Sequence, residues 1–260
     1  MSKHSEFILT PITVLLEEFI LIASAIDWNM KSFSITEYML HSLFLKMTGA
    51  QEQKFKCLVW EIGTEDLKYR RENIYEKWEY GECSTLEAKN KIFKKLYENI
   101  KKNQWNREHK LIKDDVRSNI YNHAKQSIID LYEKTIKYSA YPREYNDFID
   151  VWGKLLSNDT FLIEENNDLV LVKKRENISK TKGDLILFKD AYENLYDNRN
   201  LCAHNFKVSQ TNCYDLSKMR KNENITNNYF FFFALLIVID SFVILLYKYS
   251  LAELNKVFFE

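Results

Sequence analysis

Glycine and proline are scarce in this chain, 5 and 2 among 260 residues. With so few places to turn sharply, the sequence predicts long helices rather than a succession of short strands. The five glycines never cluster, which excludes a P-loop, a glycine-rich dinucleotide fingerprint and a nucleophile elbow, because each needs backbone freedom at fixed positions of one short loop. The four cysteines (Cys57, Cys83, Cys202, Cys213) show no C-x-x-C spacing, and a chain this long needs no disulfide staples, so a reducing cytoplasm is expected. His4, His41, His109, His123 and His204 lack the paired spacings of zinc or di-iron sites, so neither metal nor cofactor is expected. An excess of either charge is missing too. Lys plus Arg (37) balance Asp plus Glu (37), so nucleic-acid contact would have to come from a local patch.

What is present is helical periodicity over an apolar fraction of 46%, enough for a single domain over 1–260 to bury a core. Ile12, Leu15, Leu16, Phe19, Ile20, Ala23 and Ile26 predict a first helix from Pro11 to Asp27, interrupted in charge by Glu17 and Glu18, and read as a folded helix rather than a signal peptide. Ser34 or Thr36 caps a second helix with Gly49 near its end, and helical spacing resumes from Gln51. A third unit starts near Thr85. It holds Lys89, Lys91, Lys94, Lys95, Lys101, Lys102 and Arg107 interleaved with Phe93, Tyr97 and Trp105. Such a face can track a phosphate backbone and stack bases, and Lys94, Lys95, Lys101, Lys102 and Arg107 are the candidate RNA contacts; a solvated helix face is the plainer and favoured reading. Ile112, Val116, Ile120, Ala124, Ile128 and Leu131 predict a long core-facing helix up to Tyr138.

Phe161 to Val172, "FLIEENNDLVLV", reads as a small β-hairpin inserted among the helices. Gly183-Asp184 opens a helix that leads to Arg199. Tyr229 to Tyr247 is nearly continuous in apolar residues and long enough to cross a bilayer. Asp240 near its middle costs roughly 2.5–3.5 kcal/mol on insertion scales. Burial at the centre of the fold or at a dimer interface is favoured over a membrane anchor, because the other amphipathic helices need a partner for their apolar faces.

The one constellation with a coherent chemistry is Arg199-Asn200-Leu201-Cys202-Ala203-His204. Histidine moves protons near neutral pH, and arginine offers a planar donor fork to phosphate oxygens. In RNA the 2′-hydroxyl can attack the adjacent phosphorus while His204 acts as general base or acid and Arg199 stabilises the phosphoryl charge. On an ideal helix Arg199 and His204 point about 140° apart, while Asn200 and His204 share a face. The spacing therefore predicts that the helix breaks inside the motif or that the motif meets its twin across a dimer cleft. Arg117 and His123 have similar spacing, but they lie mid-helix among core positions, with His123 expected at the core edge.

"RNLCAH" resembles the HEPN ribonuclease signature, an arginine four to six residues before a histidine with a polar residue directly after the arginine. The resemblance is best supported over residues 184–250. It implies a mostly α, HEPN-like helical bundle, here with additional helices and the hairpin. It further implies a metal-independent endoribonuclease of a toxin or antiphage defence system, with paired motifs at a homodimer interface and products ending in cyclic phosphate and 5′-hydroxyl. Arg199 and His204 would be the catalytic pair, supported by Asn200, with an antitoxin or sensor protein as possible partner. Where partner nucleotidyltransferases silence such toxins, a tyrosine usually stands two residues after the histidine; here that position is Phe206. A catalytically inactive RNA- or protein-binding HEPN-type module, and a membrane-tethered protein anchored by Tyr229 to Tyr247, are the alternatives.

Overall fold

The first part of the helix Tyr229–Val257 is nearly continuous in apolar residues and must be covered, and the other helices are arranged to do that. The computed structural model describes residues 2–25, 33–71, 83, 85–102, 111–136, 141–165, 168–174, 188–205 and 227–257. Side chains of 33–34, 65, 102, 136, 154–174, 189–190, 204–205 and 253–257 lie outside that description. The fold is mostly helical. In chain order the helices are α1 (Lys3–Leu9), α2 (Thr13–Ser24), α3 (Phe33–Glu65), α4 (Leu67–Arg70), α5 (Leu86–Lys102), α6 (Asp114–Leu131), α7 (Pro142–Asn158), α8 (Phe188–Asn205) and α9 (Tyr229–Val257). A π-helical turn, Tyr132–Ile136, prolongs α6.

Helix α9 touches α1, α3, α5, α6, α7 and α8. From Tyr229 to Ile239 every side chain is buried. Rings from three directions close on its first turns. Phe44 of α3 stacks on Phe232 at 5.3 Å, Phe148 of α7 meets Phe231 edge-on at 5.3 Å, and Tyr132 and Tyr145, stacked at 3.8 Å, both present to Phe230. Such pairs add about 0.5–1.5 kcal/mol beyond burial. Asn228 starts the helix by accepting the Phe231 N–H at 3.1 Å, as an N-terminal cap does. Among the described residues, one helix, Tyr229–Ala252, is long and apolar enough by itself to cross a membrane, and 83% of its most apolar window is covered by the fold.

Asp240 interrupts that apolar helix, and its environment explains how. Lys54 of α3 donates to Oδ1 at 2.5 Å, and the Ile12 N–H donates to Oδ2 at 2.8 Å. Lys54 also donates to the Thr10 carbonyl. Thr10 closes α1 and Ile12 opens α2 across a 65° bend, so one ion pair satisfies a carbonyl and an amide that the two helix ends leave open. Burial pushes the Asp240 carboxyl up and the Lys54 ammonium down, and each charge opposes the other's shift. Nearby, Ser5 and Tyr247 share a hydroxyl bond of 2.8 Å, and the Tyr247 hydroxyl donates to Glu61 at 3.3 Å, tying α1, α9 and α3 together.

Several boundaries differ from the sequence expectation. The expected Pro11–Asp27 helix is α2, which starts at Thr13, with Pro11 in the bend before it rather than in a first turn and a separate helix, α1, ahead of the bend; Asp27 lies outside the described residues. Gly49 does not end a helix, because α3 runs through it unbroken; a Cβ there would meet nothing within 4 Å. The third unit does start near Thr85, whose hydroxyl accepts the Ala88 N–H at 3.1 Å ahead of α5. Strands β1 (Asp159–Glu165) and β2 (Asp168–Lys174) pair antiparallel, Phe161 opposite Val172, and run beside α5, α7 and α8.

Removing one partner of the Lys54–Asp240 pair strands a buried charge. Lys54→Met or Asp240→Leu alone should lower the unfolding free energy by about 3–5 kcal/mol, whereas the double variant should be more stable than either single one. Urea denaturation of the three variants checks this, and a double variant as unstable as the singles would refute the assignment.

Candidate functional site

Helix α8 buries Phe188, Ala191, Tyr192, Leu195, Tyr196, Asn198 and Cys202, a helical stripe that packs on α3, α5 and α9. Asn198 donates to the Asn227 side-chain oxygen at 2.6 Å and to the Asn194 carbonyl at 2.7 Å, pinning α8 to the start of α9. Asn200 and Leu201 face outward. Arg199 lies between the two faces, its side chain 27% exposed.

Two partners already hold the Arg199 guanidinium. Nη2 pairs with Glu52 Oε2 of α3 at 3.2 Å, and Nη1 donates to the Asn200 side-chain oxygen at 3.0 Å. Asn200 thus orients the arginine, rather than holding an irregular backbone. The other Glu52 oxygen, Oε1, is buried with no hydrogen-bond partner among the described residues. An unsatisfied buried acceptor beside a half-exposed arginine marks a place where a donor can still be taken up.

Behind this pair sits Lys89 of α5, fully buried. Its ammonium donates to the Cys83 carbonyl at 2.6 Å and to the Tyr196 hydroxyl at 3.0 Å. It lies over the rings of Tyr196 (4.6 Å), Phe55 and Tyr192 (both 5.2 Å), a cation–π cage. Burial brings Lys89 down to about 7; Glu52 and Cys83 push it back up, and Arg199 pushes it further down. Burial also raises the Tyr192 and Tyr196 hydroxyls and the Cys83 thiol. Lys89 therefore does not belong to a solvated basic face, as its place in the lysine run suggested. It falls in register with Ile92, Phe93, Leu96 and Ile100, the buried stripe of α5, and that register was the available signal.

The motif does not break its helix. Helix α8 continues from Phe188 to Asn205, since residues 199–205 contain no glycine or proline to interrupt the ladder. Arg199 and His204 consequently keep the angular offset of about 140° within one protomer. The His204 side chain, Phe206 and the segment from Gly183 lie outside the described residues.

The remaining candidates are dispersed. Lys95 pairs with Asp66 at 2.9 Å and lies over Tyr69; Lys101 lies over Tyr97 at 5.3 Å; Lys94 is half-buried on α5. Arg107 and the Lys102 side chain lie outside the described residues. Arg117 turns inward onto Phe242 at 5.5 Å, while His123 is exposed on the wall of a groove of about 730 Å³ between α2 and α6. His123 is thus at the surface, not the core edge, and does not join Arg117 in a site. Among the described residues, no three His, Cys, Asp or Glu side chains are grouped to hold a metal ion. No protein-family model, curated protein or solved structure matches this chain.

Lys89 links stability to pH. An unfolded lysine titrates near 10.4, so above about 7 the unfolded chain holds a proton that the native chain lacks, and stability rises with pH. Cys83 and the caged tyrosines, raised in the fold, act oppositely at higher pH and close the window from above. Denaturation midpoints measured from pH 7 upward should rise more steeply in the wild type than in Lys89→Met. Equal slopes would show that Lys89 is not titrating in this range.

Proposed function

We propose that this chain is a metal-independent endoribonuclease in which α8 and α9, within residues 184–250, form the HEPN-like part of the bundle. The observation that carries the reading is Arg199. It is presented at the surface of a rigid helix, oriented by Asn200 and Glu52, where a phosphodiester could meet its donor fork. His204 follows on the same helix, and the core helix α9 follows that.

An unbroken α8 has a direct consequence for the chemistry. Because Arg199 and His204 diverge by about 140° on one helix, the composite site joins Arg199 of one protomer to His204 of another, across a two-fold interface. His204 removes the proton from the RNA 2′-hydroxyl or protonates the departing 5′-oxygen, and Arg199 stabilises the charge on the phosphoryl oxygens. The products carry cyclic phosphate and 5′-hydroxyl ends. Such an activity suits a toxin or antiphage defence system, with an antitoxin or sensor protein as restraint. Coverage of α9 by the chain's own helices supports a cytoplasmic enzyme over a membrane-tethered one.

The Arg199–Glu52 pair favours a second reading as well. An arginine already neutralised by a carboxylate suits a catalytically silent module that binds RNA or protein.

Purified protein should cleave single-stranded RNA, but not DNA, which lacks the attacking hydroxyl, with EDTA present. Arg199→Ala and His204→Ala should each reduce cleavage by about 10²–10⁴-fold. Mixing the two inactive variants should restore up to about a quarter of the wild-type rate, since half the dimers are mixed and each holds one intact composite site. Undiminished cleavage by His204→Ala would refute the mechanism. RNA binding without turnover, indifferent to Arg199→Ala, would select the silent module.

A further inference from the structure

Lys89 is a sealed ammonium for which the proposed chemistry has no use. It is held from three directions. Phe55 faces it from α3, Tyr192 and Tyr196 from α8, and Cys83 from the segment before α5; Glu52, one turn before Phe55, and Arg199, one turn after Tyr196, lie near enough to act on its charge. Two of these neighbours act on its charge in opposite senses: Glu52 favours the ammonium and Arg199 disfavours it. Glu52 is itself paired with Arg199 at 3.2 Å. The carboxylate that pairs with the half-buried arginine therefore also acts on the charge of the buried lysine.

We infer that Lys89 is a positioning residue for Arg199, its charge competing for the Glu52 carboxylate and so setting how firmly Glu52 holds the guanidinium against an incoming phosphodiester. The inference rests on the reading of Arg199 as a phosphate-binding group. With Lys89 charged, Glu52 serves two cations and Arg199 is released more easily to substrate. With Lys89 neutral, Arg199 is the remaining cation on Glu52, the pair tightens, and a phosphate must compete with it. These charges interact through protein rather than water, where a charge change is felt more strongly.

The cage accommodates both states. The charged amine donates to the Cys83 carbonyl and the Tyr196 hydroxyl; the neutral amine can keep its bond to the carbonyl and accept from that same hydroxyl. Lys89 titrates at about 7, so both states are populated near neutrality. Tyr196, raised by burial, stays protonated throughout and remains available as the donor.

Two measurements on the full chain test this. In protein labelled with ¹³C-lysine, the Lys89 ε-carbon should titrate near 7. Glu52→Gln should move the midpoint down and Arg199→Ala should move it up; both leave the aromatic cage intact. A midpoint that moves in neither variant overturns the inference. In a His204→Ala background, affinity for a single-stranded RNA oligonucleotide should be about fivefold higher one pH unit below the midpoint than one unit above it. That difference should vanish in Lys89→Met and in Glu52→Gln. Its persistence in both overturns the inference. Coupled titration with no RNA binding at either pH would keep the link between Lys89 and Arg199 and overturn the ribonuclease reading alone.

Discussion

A carboxylate in the middle of an apolar helix is the constraint around which this fold is organised. Asp240 is 2% exposed, directly after a run of the helix in which every side chain from Tyr229 to Ile239 is buried, and an uncompensated charge there would not be tolerated. Its compensation comes from two distant parts of the chain: the Lys54 side chain of α3 and the Ile12 amide at the α1–α2 bend. The same three groups set the position of the bend, the register of α3 against α9 and the docking of the N-terminal helices. Coulombic attraction, strengthened by low dielectric, thus adds a directional constraint to the close packing of the apolar helix.

The turn of α3 that carries Lys54 also builds the candidate site. Gln51 donates to the Leu236 carbonyl of α9 at 3.1 Å, Glu52 pairs with Arg199 of α8, Lys54 holds Asp240, and Phe55 floors the Lys89 cage while meeting Phe93 of α5 edge-on at 5.4 Å. Four residues of one helical turn therefore join the core ion pair to the surface arginine. The site is built on packed helices, so a shift in the core register would displace Glu52 and with it the guanidinium. That coupling gives Arg199 a defined orientation from packed helices.

Much of the helical content could be read from periodicity. Scarce glycine and proline and the stripes of α2 and α6 act through contacts within a few residues, and short-range effects survive in a linear reading. Gly49 misled because a single glycine weakens a helix by only about 1 kcal/mol, less than the packing of a 33-residue helix against several neighbours supplies. Lys89 misled for a related reason. Its lysine neighbours on α5 are partly exposed, and only its register with Ile92 and Phe93 distinguishes a charge that points inward.

The candidate site divides in the same way. Arg199, Asn200 and their place near the end of a helix were legible, since they depend on residue type and spacing along one segment. Glu52, 147 positions away, was not, because nothing in the sequence near either residue names the other. The sequence by itself determined a helical protein with one apolar helix that needs cover and one arginine–histidine pair set at an awkward angle. Tertiary structure decided that the cover is the chain's own helices, that Asp240 is balanced by Lys54, and that α8 runs unbroken through the motif. Each of those outcomes depends on groups far apart in sequence, whose desolvation is tolerable only when folding places their partners within hydrogen-bonding distance.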